Sequence, residues 1–197
     1  MSSNSAVGIS PTPSRNRRQE ETFRRVLVAA REMLRESSYA DLTVRAVAKR
    51  ANVAPATAYT YFSSKNHLVA EVYLDLVNQA PYFTDVNDTL RTRVDSVLRH
   101  LTLVVADEPE VAAACTTALM SGNDDAVVAV RNRIGAEIHR RITSAIGPDA
   151  DARTVGALEM TFFGALVQAG SGAFTYRQIA DQLSFVVSLI LGEPTQS

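Results

Sequence analysis

The sequence predicts an all-α protein of about nine helices, and three observations carry that prediction. Apolar residues recur at helical spacing along segment after segment. Pro, Gly and Asn fall where that pattern lapses. No alternating run rich in β-branched residues marks a strand, and no internal repeat is present.

Residues 1–18 are rich in Ser, Pro and Asn and turn basic at Arg15, Arg17 and Arg18. They read as a flexible basic arm, because nothing in them can form a core. From about Gln19 the pattern is helical: Phe23, Val26, Leu27, Ala30 and Leu34 line one face until Ser37 and Ser38. Thr43 then stands as an N-cap before Val44, Val47, Ala48 and Ala51. Asn52 is a turn residue that tolerates a left-handed backbone. Pro55 opens a short helix over about 56–62, where its missing N–H costs nothing. Ser63 and Ser64 break that helix, and another runs from Lys65 to Gln79 before Pro81. Five more follow, over about 88–106, 110–121, 125–146, 151–171 and 176–191. Their stops are Gly122–Asn123, Gly147–Pro148, the breaker Gly170–Ser171–Gly172, and Gly192 with Pro194 beyond. The domain organisation that follows is an arm over 1–18, a small helical unit over 19–64 and a larger one over 65–197.

Charge divides the chain along the same lines. Residues 1–65 hold eleven Lys/Arg against five Asp/Glu, and the rest holds nine against sixteen. A basic first third on an acidic body fits a protein that touches a polyanion only at its N-terminal end. No signal-peptide pattern opens the chain. The most apolar stretch, 155–174, contains Glu159, Gln168 and several glycines and reads as a buried helix, not a membrane span. The expected compartment is the cytoplasm. A single cysteine, Cys115, excludes an internal disulfide, and three scattered histidines make no metal site. No cofactor is expected. There is no phosphate loop, nucleophile elbow or H-E-x-x-H motif, so an enzyme is the disfavoured reading.

The informative segment runs from Asp41 to Lys65, DLTVRAVAKRANVAPATAYTYFSSK. Two short helices joined by a tight turn, the second beginning with small residues, make a helix-turn-helix. The second helix must enter a major groove ~12 Å wide, so its outer face needs small or hydrogen-bonding side chains. Ala54, Pro55, Ala56, Thr57 and Thr60 meet that need, while Val47, Ala51, Val53, Ala58 and Phe62 form the core between the helices. By the same chemistry Lys65 pairs with a phosphate, as do the phenols of Tyr59 and Tyr61 and the hydroxyl of Thr43. Arg45 is the candidate for a base contact, since Arg pairs bidentately with guanine.

This segment resembles the DNA-binding signature of the TetR family of bacterial regulators. The residues that carry the resemblance are Leu42–Thr43, Ala46–Val47–Ala48, Thr57, Tyr59–Thr60–Tyr61–Phe62 and Lys65, all in register. Asn52 stands where a turn Gly is common, and Ala58 where a Leu is common. The resemblance implies an all-helical homodimer, with a ligand-binding and dimerisation domain behind the helix-turn-helix. It implies a repressor that binds a palindromic operator on double-stranded DNA and is released by a small effector.

Between Thr154 and Tyr176 the only charge is Glu159, and from Gln182 to Gly192 there is none. Helices apolar around most of their circumference are buried on more than one side. A partner subunit is expected on Val155, Leu158, Phe162, Leu166, Phe185, Val186, Leu189 and Ile190. A ligand pocket is expected among the fourth to eighth helices. Its candidate lining is Leu76, Leu98, Leu101, Val105, Met120, Ile134, Ile138, Met160 and Phe163, with Val77 and Leu119 beside them. The scarcity of interior charge points to an apolar effector such as a lipid, steroid or aromatic compound. Cys115, Arg99, His100 and His139 are the polar groups available to orient it. The remaining alternative is a DNA-binding dimer without a sensor.

Overall fold

The structure is a computed structural model that describes residues 17–82, 85, 87–121 and 124–192. The described residues form nine helices and no strand: α1 (Arg17–Glu36), α2 (Val44–Arg50), α3 (Pro55–Tyr61), α4 (Lys65–Gln79), α5 (Leu90–Leu103), α6 (Pro109–Met120), α7 (Asp125–Ile146), α8 (Ala152–Gly170) and α9 (Tyr176–Leu191). None of them is long and apolar enough to cross a membrane. Arg15, Gly122–Asn123 and Pro194 lie outside the described residues. The boundary of the arm needs correction: Arg17 and Arg18 are already the first turn of α1.

Helix ends follow local chemistry. The hydroxyls of Thr43, Ser64, Thr89 and Thr175 and the carboxylates of Asp124 and Asp151 each accept a backbone N–H of the helix they open. Thr175 and Gln178 complete a capping box at α9. Pro109 begins α6 where the sequence pattern placed the start one residue later, in keeping with proline's fixed φ and absent N–H. Gly147 closes α7 at φ 98°, a region that an L side chain rarely adopts.

The three N-terminal helices enclose Phe23, Val26, Leu27 and Leu34 of α1 with Val47 and Ala48 of α2 and Ala58 and Phe62. Phe23 stacks on Phe62, ring centroids 5.0 Å apart. Helix α4 leaves this unit and becomes the axis of the larger one. Every residue from Leu68 to Leu74 is buried, so α4 is enclosed around its whole circumference, by α1, α6 and α7. Behind it α5 packs on α7 and α9, and α8 on α9 and α7.

Helices α4 and α7 run parallel, and polar ties bind them along their length. Ser64 donates to Asp124 (2.9 Å), Arg133 donates to Glu71 (2.6 Å), and Arg141 donates to the carbonyls of Val77 (2.8 Å) and Ala80 (3.1 Å). The last pair satisfies the open C-terminal carbonyls of α4 with a buried cation. Burial raises the pKa of Glu71, but hydrogen bonding to His67 and the charge of Arg133 outweigh it and leave the carboxyl below its ordinary value.

A second tie joins the N-terminal unit to α6. Glu108, the residue that precedes α6, accepts from Arg31 Nε (3.0 Å) and Arg35 Nε (2.8 Å) of α1. Hydrogen bonds from Arg31 and Arg35 hold its carboxyl down to about 2. A carboxyl depressed on folding stabilises the protein above its unfolded pKa of about 4.3 and loses that contribution as pH falls through the folded value. Glu108→Gln is therefore expected to cost about 1–2 kcal/mol at pH 7, given that Arg35 is largely in solvent. The difference from the parent protein should shrink on acidification towards pH 3. Urea unfolding of both proteins at the two pH values measures it, and a difference that held or grew in acid contradicts the assignment.

Candidate DNA-binding face and ligand cleft

The reading edge is built by a four-residue turn and two short helices. After α2, the Ala51 N–H donates to Val47 O (2.9 Å), Asn52 takes φ 52°, and the Val53 N–H returns to Ala48 O (2.9 Å). The chain thus reverses within a few residues and Pro55 begins α3. Ala51, Val53, Ala58 and Phe62 are buried at the joint. Ala54, Pro55, Ala56, Thr57, Tyr59 and Thr60 are exposed, so the edge of α3 carries small and hydroxyl-bearing groups, as the sequence pattern predicts. A groove between the helices is lined by Thr43, Arg45, Lys49, Asn52 and Pro55.

The cations of this unit fall into two sets. Arg50 is spent internally, donating to Glu32 (3.2 Å) and Glu36 (2.7 Å) of α1, and Arg31 and Arg35 are held by Glu108. Arg45 and Lys49 are exposed and make no hydrogen bond or ion pair with the described residues. They stand beside the turn with their charge available to a polyanion. Lys49 was not singled out from the sequence. Its position four residues after Arg45, on the same side of α2, is the signal that finds it.

The other expected contacts differ in their surroundings. Lys65 is half-buried; its ammonium donates to the carbonyls of Tyr39 (2.9 Å) and Ala40 (3.3 Å) and lies 4.3 Å from the Tyr39 ring centre. Two of its three N–H donors thus hold the α1–α2 loop to the start of α4, which leaves one for a phosphate. Tyr61 packs its ring edge-on against Phe23 at 6.0 Å, whereas Tyr59 stands in solvent. The Thr60 hydroxyl donates to Thr57 O (2.6 Å) and keeps only acceptor capacity. Thr43 accepts the Ala46 N–H (3.1 Å), a bond that leaves its own hydroxyl proton for another acceptor.

The larger unit contains a cleft of about 370 Å³ between α4, α6, α7, α8 and α9. Of the expected lining, Met120, Ile134 and Phe163 face it, together with Leu119 and Cys115. Leu76, Leu98, Leu101, Val105 and Ile138 do not: they are buried in the core elsewhere, because α5 faces α7 and α9 and closes the far side of the unit. Met160 is 79% exposed on the outside of α8. Tyr73, Thr116 and Tyr176 are lining residues that the apolar pattern hid, since each is a polar residue on a face taken for core. Burial pushes the Cys115 thiol up to about 12, so it is no nucleophile. Arg99, His100 and His139 are engaged away from the cleft, with Asp181 (2.9 Å), Ser96 (3.4 Å) and Glu159 (2.8 Å). Helices α6 and α8 approach so closely that a Cβ on Gly170 would overlap the Thr116 side chain.

The outer face of α8 and α9 also differs from expectation. Val155, Leu158 and Phe162 are buried within the chain's own core, and Leu166 lines the cleft. Val186 and Ile190 are half-buried. The apolar residues left in solvent are Met160, Phe163 and Val167 of α8 and Phe185 and Leu189 of α9, the last two 64% exposed. Each set repeats at three or four residues, so the two helices present a continuous apolar stripe.

Residues 26–72 match the family model described as bacterial regulatory proteins, tetR family. Over 179 residues the chain is 74% identical to an uncharacterized HTH-type transcriptional regulator of Mycobacterium tuberculosis, covering 90% of this chain and 84% of the relative. It is 26% identical over 185 residues to the HTH-type transcriptional repressor KstR of Rhodococcus jostii, covering 89% and 85% of the two chains. Among solved structures, a TetR transcriptional regulator from Rhodococcus sp. RHA1 shares the fold with a TM-score of 0.76 at 23% identity, covering 89% of this chain and 98% of that one.

Because Arg45 and Lys49 support no other part of the fold, Arg45→Ala and Lys49→Ala should each leave unfolding stability within about 0.5 kcal/mol of the parent. Lys65→Met should cost about 1 kcal/mol, through the two carbonyls it strands. Denaturant titrations separate the two groups. Equal losses in all three variants contradict the division of cations drawn above.

Proposed function

Because this chain belongs to the TetR family of bacterial regulatory proteins and is a DNA-binding regulator of transcription, we propose that it is a repressor that grips a palindromic operator as a homodimer and releases it when a small, mostly apolar molecule fills the cleft. The observation that carries this reading is the ownership of the cleft's walls. Tyr73 belongs to α4, which leads directly out of the helix-turn-helix. Five lining residues belong to α6, whose first turn is tied through Glu108 to α1. An occupant that widens the cleft pushes on both helices that position the reading edge. A ligand shifts such an equilibrium only by its difference in affinity for the two states, so the effector is a molecule that fits the widened cleft better than the resting one.

The stripe of Met160, Phe163 and Val167 with Phe185 and Leu189 is the surface we assign to the partner copy. A twofold axis there makes the interface self-complementary and presents two copies of α3 to one face of the duplex. On DNA, Arg45 reads a base edge, Thr57 and the small residues at the start of α3 approach the groove floor, and Lys49, Tyr59 and the spare donor of Lys65 meet phosphates.

Selection from a randomised duplex pool tests the operator. The enriched sequences should be palindromic, with half-site centres about 34–36 Å apart along the helix. Arg45→Ala should relax preference at one position per half-site, and Lys49→Ala should weaken all sequences alike and lower the salt slope by about one. The doubly charged variant Phe185→Asp/Leu189→Asp should sediment as a folded monomer and lose operator affinity. Asymmetric enriched sites, or a dimer that survives those two charges, contradict the proposal.

A further inference from the structure

The cleft carries more information than its apolar walls, and its polar groups name the head group of what enters it. Tyr73 is only 6% exposed, yet its hydroxyl makes no hydrogen bond with the described residues. It is also not among the polar atoms sealed from all open space, so the O–H ends in the cleft that the ring lines. A buried hydroxyl left unpaired is costly unless something reaches it. Of the other polar groups in the lining, Thr116 donates to Ala112 O (3.0 Å) and the Cys115 thiol points to Val69 O (3.9 Å). Burial pushes the Tyr73 phenol well above its ordinary pKa, so it stays protonated and able to donate. Among the described residues, Arg131 is the only charged one in the lining.

Resting on the sensor reading above, we propose that the cleft binds a mostly apolar carboxylic acid, whose carboxylate accepts a hydrogen bond from the Tyr73 hydroxyl under the positive charge of Arg131. The hydrocarbon lies between α6 and α8, against Leu119, Ile134 and Phe163. Between largely apolar walls, one guanidinium and one phenol O–H favour an anionic acceptor over a neutral alcohol, and the guanidinium opposes an ammonium ion. The cleft's 370 Å³ is near the small end of ligand pockets, which span about 300–1,000 Å³. A chain of medium length or a single ring system fits that volume.

Displacement of the neutral fluorophore N-phenyl-1-naphthylamine from the full-length protein tests this, with decanoate, decanol and decylamine as competitors of matched chain length. Decanoate should displace the fluorophore at a concentration about ten-fold below that of decylamine, with decanol between them. Tyr73→Phe should weaken decanoate about ten-fold while leaving the melting temperature and the affinity for the fluorophore unchanged or slightly raised, because the lost hydroxyl had no protein partner. Arg131→Gln should abolish the preference for decanoate over decanol. Equal displacement by all three competitors, or a Tyr73→Phe protein that binds decanoate as the parent does, overturns the carboxylate assignment alone. A parent protein that never takes up the fluorophore overturns the sensor reading and this assignment with it.

Discussion

The structure depends on a helix that has no outside. Two full turns of α4 are buried on every side, so the helix is stable only where other helices surround it. Because α1 supplies one of those sides and α6 and α7 the others, the N-terminal unit and the larger unit close over a common core. The buried polar groups of this region follow from the same constraint. Glu71 lies inside with α4 and needs Arg133 and His67, and the C-terminal carbonyls of α4 have no water and need Arg141. These contacts fix the register of α4 against α7 and make the pair a stiff spine.

That spine meets a looser wall on the cleft side. Helix α6 packs on α4, and its buried residues are small and apolar, Ala114, Cys115 and Ala118 among them. Its firmest polar attachment is at its start, where Glu108 holds two arginines of α1. A helix held at one end and packed by apolar contact along its length can tilt at small cost, while its tied end moves with the N-terminal unit. The proposed release of DNA uses this arrangement: the cleft lies along the side of α6 that can shift, and the tie carries the shift to α1. Electrostatics gives the DNA unit a complementary economy. Acidic residues of α1 neutralise Arg50 and leave Arg45 and Lys49 as the charges beside the reading edge.

Much of this was legible in the residues, and the limits have physical causes. Caps and breakers act within a few residues, so Thr43, Asn52, Pro55, Ser64 and Gly147 placed the helix-turn-helix and most boundaries. Partnerships that depend on distant segments were not legible. The expectation for Lys65 rested on its place at a helix start, but two carbonyls twenty-five residues back also claim its ammonium. Tyr61 was expected to present its phenol to a phosphate, and its ring also packs on Phe23, which meets Phe62 as well. Helices α8 and α9 are apolar nearly all round, so periodicity could not say which stripe faces the core. The stripe beginning at Val155 turned inward and the one beginning at Met160 outward. The cleft was the least legible element, since it exists only where five helices fail to close, and its telling residue is a tyrosine in a row of apolar neighbours.

The central claim is that filling the cleft moves the two reading edges relative to each other. The most direct test is an electron-electron distance measurement in the dimer between spin labels at Val28→Cys, exposed on α1 and outside the reading edge, with Cys115→Ser removing the native thiol. Without a cleft occupant the distribution should contain a DNA-competent component that operator DNA sharpens. Saturating N-phenyl-1-naphthylamine or decanoate should shift the distribution by several ångströms, in step with loss of DNA. Loss of DNA with an unchanged distribution, or occupancy of the cleft with neither change, contradicts the account.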